Sequence, residues 1–210
     1  MISLFIDTSN FKLLVGVVDE DNNKILSFYN EEVKGDMSSK ALCVIRDSLD
    51  QLNLKPQNVD KIYVVNGPGS FTGVRIGVTI AKTFAWALKK TIIPISSLEL
   101  LASTEADTDY VAGLIDARRD AVYAGIYSKN LDIYYEDRYV TLEEFKTAIP
   151  NSITLISDDT INLDGIKESN VDILKVINKH KNDMGTDPHH LNPSYLKITE
   201  AEANLNKKND

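Results

Sequence analysis

The first third of the chain alternates short apolar runs with polar turns. One apolar run ends in Asp7, and a second follows the polar turn at 8–10. A hairpin sequence, Asp-Asn-Asn at 21–23, leads into a third run. Runs of this length bounded by turn residues are typical of β-strands, and a longer run with a period near 3.6 predicts a helix. We expect strands at 4–7, 11–18, 25–29 and 62–65, and a helix at 39–52.

The same order of elements returns later in the chain. At an offset of 109 residues, Ile6-Asp7 falls on Ile115-Asp116, and Gly16 falls on Gly125. Thr141 and Glu144 predict a capping box at the start of the second helix. The repeated order β-β-β-α-β predicts an α/β protein with two mixed sheets that face each other across a cleft. We expect the second set of strands at 111–116, 121–127, 133–139 and 153–156, and its helix at 142–148.

A polar stretch at 104–109 separates the two copies. We therefore expect an N-terminal lobe at 1–106 and a shortened C-terminal lobe at 110–190 with one further helix near 171–182. Residues 192–210 are expected to return to the first lobe, the part from 192 to 205 as strand or helix.

A glycine-rich segment, GPGSFTGVRIG at 67–77, follows the fourth apolar strand and precedes a long apolar stretch. Glycine permits close backbone approach, and a helix start attracts anions, so this segment is a candidate phosphate loop. It fits neither common pattern. Five residues separate Gly67 from Gly73 and Val74-Arg75 follows, unlike a P-loop, while Thr72 replaces a glycine of the dinucleotide fingerprint. A tight turn with close helix packing is the favoured interpretation.

Composition and charge exclude several classes of function. The 210 residues carry a net charge of −8 and no basic stripe, which argues against tight binding of a nucleic-acid backbone by this chain alone. The single cysteine, Cys43, excludes a disulfide within the chain and is expected in the core. There is no run of 18 apolar residues and no basic leader before Asp7, so we expect a cytoplasmic protein that does not contact a membrane.

Four features together resemble the TsaB (YeaZ) family: the Ile-Asp-Thr opening, GPGSFTGVRIG, Ile-Asp-Ala-Arg in the second copy, and Pro-x-Tyr-Leu-Lys at 193–197. The resemblance covers nearly the whole chain. It implies the ASKHA fold of actin, Hsp70 and sugar kinases, with two lobes around a cleft. It also implies a noncatalytic role in threonylcarbamoyladenosine modification of tRNAs that read ANN codons. The implied partners are a TsaD-like transferase and a TsaE-like ATPase, with tRNA contacted only through the complex and a homodimer in the transferase's absence.

One pair of positions distinguishes this chain from the related TsaD-like transferase subunit. TsaD-like chains carry a metal-binding His-x-x-x-His pair at the register where this chain has Ser97 and Leu101. Leucine cannot ligate a metal, so we expect no metal site and no catalytic residue. Ser96 and Glu99 instead predict a helix capping box. The histidines occur late in the chain, at 180, 189 and 190, and are not expected to be ligands.

The ASKHA resemblance places Asp7 and Asp116 opposite each other across the cleft. In catalytic relatives such acids lie near metal-bound phosphate, so a stand-alone ATPase or phosphotransferase is the alternative function. ATP or ADP with Mg²⁺ would then bind, if at all, in a pocket shared with partners. The favoured interpretation is that each acid accepts hydrogen bonds within its own turn. The possible nucleotide or phosphate loop comprises Asp7, Thr8, Ser9, Gly67, Gly69, Ser70, Thr72, Gly73 and Asp116.

Two predicted helices carry more apolar residues than one buried face requires. Either they pack against each other within the chain, or they form a surface for an equivalent helix pair of a second chain. The family resemblance points to this surface for both the homodimer and the transferase complex. Met37 stands where relatives carry a histidine, which would make the contact more apolar. The predicted partner interface comprises Met37, Ala41, Ile45, Phe71, Val74, Arg75 and Val78.

Overall fold

The computed structural model describes residues 1–197. The first lobe contains a five-stranded sheet in the order β3-β2-β1-β4-β5, in which β1 pairs antiparallel with β2 and parallel with β4. Its strands are β1 (Ile2–Asp7), β2 (Lys12–Asp19), β3 (Lys24–Glu32), β4 (Lys61–Gly67) and β5 (Thr91–Ser96). Its helices are α1 (Met37–Gln51), α2 (Phe71–Leu88) and α3 (Ser97–Ala102), with a short 3-10 turn at Pro56–Asn58.

The second sheet repeats this arrangement. Its order, β10-β9-β6-β7-β8, is the first order read from the other end, with the same antiparallel and parallel pairings. The strands are β6 (Tyr110–Asp116), β7 (Ala121–Ser128), β8 (Ile133–Thr141), β9 (Ile153–Ile156) and β10 (Ile166–Lys167), and the helices are α4 (Leu142–Ala148) and α5 (Ile173–His180). The predicted duplication is confirmed. Each sheet also has a fifth strand that the sequence pattern did not predict, and within the described chain a loop connects β9 and β10 where the first lobe has α2.

Local signals explain where the helices begin. Asp36 caps α1 by accepting hydrogen bonds from the N–H groups of Ser38 and Ser39. Thr141 and Glu144 form the predicted capping box at the start of α4. Because these residues satisfy backbone donors that the first helical turn leaves open, the helix boundaries follow the sequence closely.

Three apolar cores stabilise the molecule, one in each lobe and one between the two sheets. The first packs α1 and α2 against one face of the first sheet, and the third packs α4 against the second sheet. The central core lies between the sheets and contains residues of both, together with α3 and α5. All six residues of α3 are buried. A Cβ added at Gly113 of β6 would lie 2.2 Å from the Leu98 carbonyl oxygen, so glycine is required for this contact between lobes.

The chain after α5 does contact the first lobe. The Ser194 N–H donates to the Asn66 carbonyl oxygen at 2.7 Å. Residues 192–197 form neither strand nor helix, because they make isolated hydrogen bonds to Asn66 at the end of β4 rather than a continuous ladder. The rest of the expected element, 198–205, lies outside the described residues.

Two smaller expectations are wrong. Cys43 is exposed on α1, because the buried face of that helix is formed by Ala41, Val44, Ile45 and Leu49. Ser96 caps α3 as expected, but the Glu99 side chain does not complete a capping box. Its carboxylate contacts His180 of α5 instead, with Oε1 2.8 Å from Nε2.

His180 lies between two carboxylates. Its other ring nitrogen, Nδ1, is 2.7 Å from Asp183 Oδ2. When the ring carries both protons, each N–H donates to a carboxylate, and this raises the pKa of His180 above its ordinary value, against an opposing effect of burial. Protonated His180 therefore stabilises the contact between α3 and α5.

Replacing this histidine should make stability depend less on pH. Because the folded-state pKa is raised above 6.5, the stabilisation is complete below that pH and is lost as the pH rises through the folded value. We expect His180→Gln to lower the free energy of unfolding by about 1–3 kcal/mol at pH 6, and by less at pH 9. Urea unfolding across this range measures the effect, and a difference that grows with pH would contradict the assignment.

Among residues 1–197, no helix combines the length and the apolar character needed to cross a bilayer.

Candidate functional site

A cleft of about 730 Å³ lies between the lobes. The turn after β1 and the start of α2 form one side, α3 lies along it, and the ends of β6 and β9 form the other side. Both polar and apolar side chains line it, which is typical of a ligand-sized site. Its lining includes Asp7, Ser9, Lys12, Gly69, Ser70, Thr72, Ser97, Leu100, Leu101, Asp116, Arg118, Asp158, Asp159 and Lys197.

The glycines at the start of α2 pack against the turn that follows β1. A Cβ at Gly73 would lie 2.1 Å from the Thr8 carbonyl oxygen, and one at Gly69 would lie 2.4 Å from the Ser9 carbonyl oxygen. Two hydrogen bonds fix this contact: Thr8 Oγ1 donates to the Gly73 carbonyl oxygen at 2.7 Å, and the Ser70 N–H donates to Ser9 at 2.6 Å. The space that these glycines leave open is therefore occupied by the protein's own backbone.

Two of the N–H donors at this helix start are bonded within the chain. Ser70 caps α2 by accepting from the Gly73 N–H at 3.2 Å, and the Val74 N–H donates to the Ser70 carbonyl oxygen. A phosphate at this position would compete with these bonds. The geometry thus favours close packing over an open phosphate cradle as the reason for the glycines.

The predicted loop residues separate into two groups. Six of them lie along the cleft, whereas the other three are buried away from it. The cleft residues are Asp7, Ser9, Gly69, Ser70, Thr72 and Asp116, and the buried ones are Thr8, Gly67 and Gly73.

Asp7 is the most unusual acid of the cleft. It is almost completely buried, and its Oδ1 accepts a hydrogen bond from the Ser9 N–H at 2.7 Å. Burial raises the pKa of this carboxyl to about 6, although the bond to Ser9 opposes the shift and the negative charge of Asp158 adds to it. A carboxylate kept where its charged form is unfavourable is a feature of functional sites.

The corresponding acid of the second copy, Asp116, is exposed. Its Oδ1 accepts from the Arg118 N–H at 2.8 Å, and its own N–H donates to Asp159 Oδ2 at 2.9 Å. The turn that follows is strained, because residues 118–120 all have left-handed backbone angles, with φ of 63°, 57° and 55°. Both acids thus accept hydrogen bonds within their own turns, and both line the same cleft.

An ion pair connects the lobes beside the cleft. Lys12 Nζ of β2 lies 2.9 Å from Asp158 Oδ2 of the second lobe. Ser169 holds the same carboxylate through its N–H at 3.0 Å and its hydroxyl at 2.9 Å. This pair is not predictable from the sequence, because neither residue belongs to a motif and no local signal relates positions 146 residues apart.

Helix α3 contains Ser97 and Leu101, the positions at which the sequence resemblance implied loss of a metal-binding histidine pair. Ser97 and Leu101 are both buried, and Leu101 belongs to the central core. Within residues 1–197, no group of three or more His, Cys, Asp and Glu side chains is arranged to hold a metal ion. This segment therefore contributes packing between the lobes.

An exposed cluster lies at the first turn of α2. The guanidinium carbon of Arg75 lies 3.6 Å from the centre of the Phe71 ring, and Arg75 Nε donates to the Tyr195 hydroxyl at 2.8 Å. The rings of Phe71 and Tyr195 are 5.6 Å apart. We call Phe71, Arg75 and Tyr195 the aromatic–arginine cluster. Two large aromatic rings that remain half exposed beside an arginine are typical of a binding surface.

Most of the predicted interface residues are not available at the surface. Four of the seven are buried in the first-lobe core, because α1 and α2 pack against each other and the sheet, and Met37 is half-buried against that core. Only Phe71 and Arg75 are exposed. The buried ones are Ala41, Ile45, Val74 and Val78.

Solved structures identify the fold class. YeaZ from Pseudomonas aeruginosa superposes with a TM-score of 0.76 at 25% identity, and covers 93% of this chain and 99% of that one. A second solved structure, described as an uncharacterized protein with similarity to peptidase YeaZ from Pseudomonas aeruginosa, gives a TM-score of 0.77 at 23% identity over the same shares. Together with the duplicated sheet order, this defines an ASKHA-like fold.

Sequence relatives identify the family. A family model described as TsaD, tRNA N6-adenosine threonylcarbamoyltransferase, matches residues 31–179. The tRNA threonylcarbamoyladenosine biosynthesis protein TsaB of Bacillus subtilis is 34% identical over 97% of both chains. A tRNA N6-adenosine threonylcarbamoyltransferase of Streptococcus uberis is also 34% identical, but the match covers 29% of this chain and 18% of that protein. The chain belongs to the TsaB (YeaZ) family.

The packing explanation of the glycines predicts the effect of Gly73→Ala. Helix propensity alone would favour alanine by up to about 1 kcal/mol. Because the new Cβ would collide with the Thr8 carbonyl oxygen, we expect a loss of about 1–3 kcal/mol in the free energy of unfolding. Thr79→Ala, at an exposed position of the same helix, is the control and should change stability by less than about 0.5 kcal/mol. Equal or greater stability of Gly73→Ala in urea unfolding would contradict the packing explanation.

The raised pKa of Asp7 predicts that Asp7→Asn stabilises the protein at pH 7. The folded-state value of about 6 lies above the unfolded value of 3.8, so the charged carboxylate costs the wild-type at most about 3 kcal/mol at neutral pH. That difference should shrink as the pH falls through 6 and disappear below 3.8. Asp116→Asn is the exposed control, expected to act by less than about 0.5 kcal/mol. A less stable Asp7→Asn at pH 7 would refute the burial argument.

Proposed function

We propose that this chain is a noncatalytic subunit in the biosynthesis of threonylcarbamoyladenosine in tRNA. In this proposal it binds and activates a TsaD-like transferase, together with a TsaE-like ATPase, for tRNAs that read ANN codons. The observation that carries the proposal is the exposed aromatic–arginine cluster on a fold shared with the TsaB family. Its place of work is the cytoplasm, where tRNA is modified, and it contacts tRNA only through the complex.

The family relationship supports the pathway. The Bacillus subtilis relative is named for threonylcarbamoyladenosine biosynthesis, and the match extends over nearly the full length of both chains. The family model and the Streptococcus uberis relative carry the name of the transferase. Two chains with one fold are suited to form a pseudo-symmetric pair through equivalent surfaces, and without the transferase a second copy of this chain would occupy that surface.

The noncatalytic role is supported by the residues found at the expected metal-ligand positions and around the glycine motif. Ser97 and Leu101 lie where TsaD-like chains have metal-binding histidines, and both are buried in packing. The glycine motif is filled by the turn after β1. The acidic net charge of −8 also argues for protein partners over direct contact with the tRNA backbone.

Substitution of the cluster should weaken the complex. We expect Phe71→Ser and Arg75→Ala each to raise the dissociation constant for the transferase subunit of the same organism by about tenfold or more, because aromatic and arginine anchors dominate interface energies. Light scattering gives the mass of the complex, and titration calorimetry gives its affinity.

Ile133→Ser is the matched control, an exposed apolar residue of the second lobe. It should leave the affinity unchanged. If both cluster variants bind like the wild-type, this surface is not the interface, and if the wild-type chain forms no complex, the proposed function is wrong.

A second candidate is a stand-alone ATPase or phosphotransferase, favoured by one observation: Asp7 and Asp116 line the same cleft. Side chains on both sides of the cleft would hold Mg²⁺ and phosphates, either alone or with a partner. This candidate predicts Mg-ATP turnover by the purified chain that disappears in Asp7→Ala. Measured phosphate release no faster than in buffer would eliminate it.

A further inference from the structure

Within the motif Pro193-Ser194-Tyr195-Leu196-Lys197, Tyr195 belongs to the aromatic–arginine cluster, and the other residues have no role in the proposed function although they contact both lobes. The motif begins two residues after Leu191, which is buried in the first-lobe core and whose carbonyl oxygen accepts from Lys82 Nζ at 2.9 Å. The structure therefore anchors the segment before the motif starts.

The segment next runs along the end of β4. The Ser194 N–H donates to the Asn66 carbonyl oxygen at 2.7 Å, and Asn66 Nδ2 donates to the Asn192 carbonyl oxygen at 3.2 Å. Gly67, with φ of 114°, has no side chain to block this path, and a Cβ there would lie 2.9 Å from the Ser194 carbonyl oxygen. Gly67, the first glycine of the glycine-rich segment 67–77, thus makes room for Ser194.

The next three residues connect separate parts of the molecule. Tyr195 contacts Phe71 and Arg75 in the aromatic–arginine cluster. Leu196 packs against the central core between the lobes. Lys197 Nζ lies 4.7 Å from the centre of the Tyr139 ring, on β8 of the second lobe, and also lines the cleft.

We propose that residues 192–197 form a strap that holds the aromatic–arginine cluster in its binding geometry and ties it to the second lobe. The inference rests on the proposed function and deepens it. Tyr195 is a positioning residue, because its hydroxyl fixes the guanidinium that stacks on Phe71. Occupation of the cluster by the partner and attachment of the strap to the second lobe are thermodynamically linked, so each strengthens the other.

The linkage predicts an effect at a distance. Tyr139→Leu and Lys197→Ala remove the second-lobe attachment, yet neither residue belongs to the cluster. We expect each to weaken binding of the transferase subunit by about twofold to fivefold, and Tyr195→Phe, which removes only the hydroxyl, by about threefold to tenfold. In the complex, amide hydrogen exchange of residues 192–197 should slow, and Tyr139→Leu should restore part of the faster exchange.

The experiment uses the full chain, with thermal unfolding of each variant as the check that it folds. If Tyr139→Leu and Lys197→Ala bind like the wild-type while Phe71→Ser does not, the strap proposal is overturned and the proposed function stands. If Phe71→Ser also binds like the wild-type, or no complex forms, the binding surface is wrong and the strap proposal fails with it. A Tyr134→Leu variant, at an exposed tyrosine of the same strand, is the matched control and should not change the affinity.

Discussion

The burial of α3 between the two sheets determines how the lobes meet. Each of its six residues is buried, and its backbone lies against Gly113 of the second sheet so closely that no side chain fits between them. Glu99 of the same helix binds His180 of α5. Such contacts leave little space at positions 97 and 101, where the family resemblance implies the loss of a metal-binding histidine pair. The helix that joins the lobes also forms one wall of the cleft.

A second close contact positions the exposed residues at the start of α2. The turn after β1 presses on the start of α2, and the glycines there permit the approach. This contact fixes the first turn of α2, from which Phe71 and Arg75 project. The segment 192–197 adds Tyr195 from the end of the described chain. One motif thus forms an internal packing contact through its glycines and exposes Phe71 and Arg75 at the surface.

The sequence predicted the fold better than the surface. The repeat at Ile6-Asp7 and Ile115-Asp116 indicated two sheets because strand periodicity is a local property, and capping residues such as Thr141 marked a helix start for the same reason. Burial of Val74 and Val78 within the chain was not predictable from the helical pattern. The pattern of apolar residues is the same whether the helix face packs against its own chain or against a partner. The Lys12–Asp158 ion pair and the contact of Tyr195 with Phe71 and Arg75 depend on tertiary geometry alone, so no local sequence pattern predicts them.

The central claim is that this chain contributes binding rather than chemistry, and reconstitution tests it most directly. The measurement is the formation of threonylcarbamoyladenosine in tRNA by the transferase and ATPase subunits, with and without this chain, and with Asp7→Asn or Asp116→Asn in its place. The account predicts that product forms only when the chain is present, and that both variants support it like the wild-type. Loss of product with either variant, while the complex still assembles, would show that the cleft acids take part in the reaction and would contradict the account.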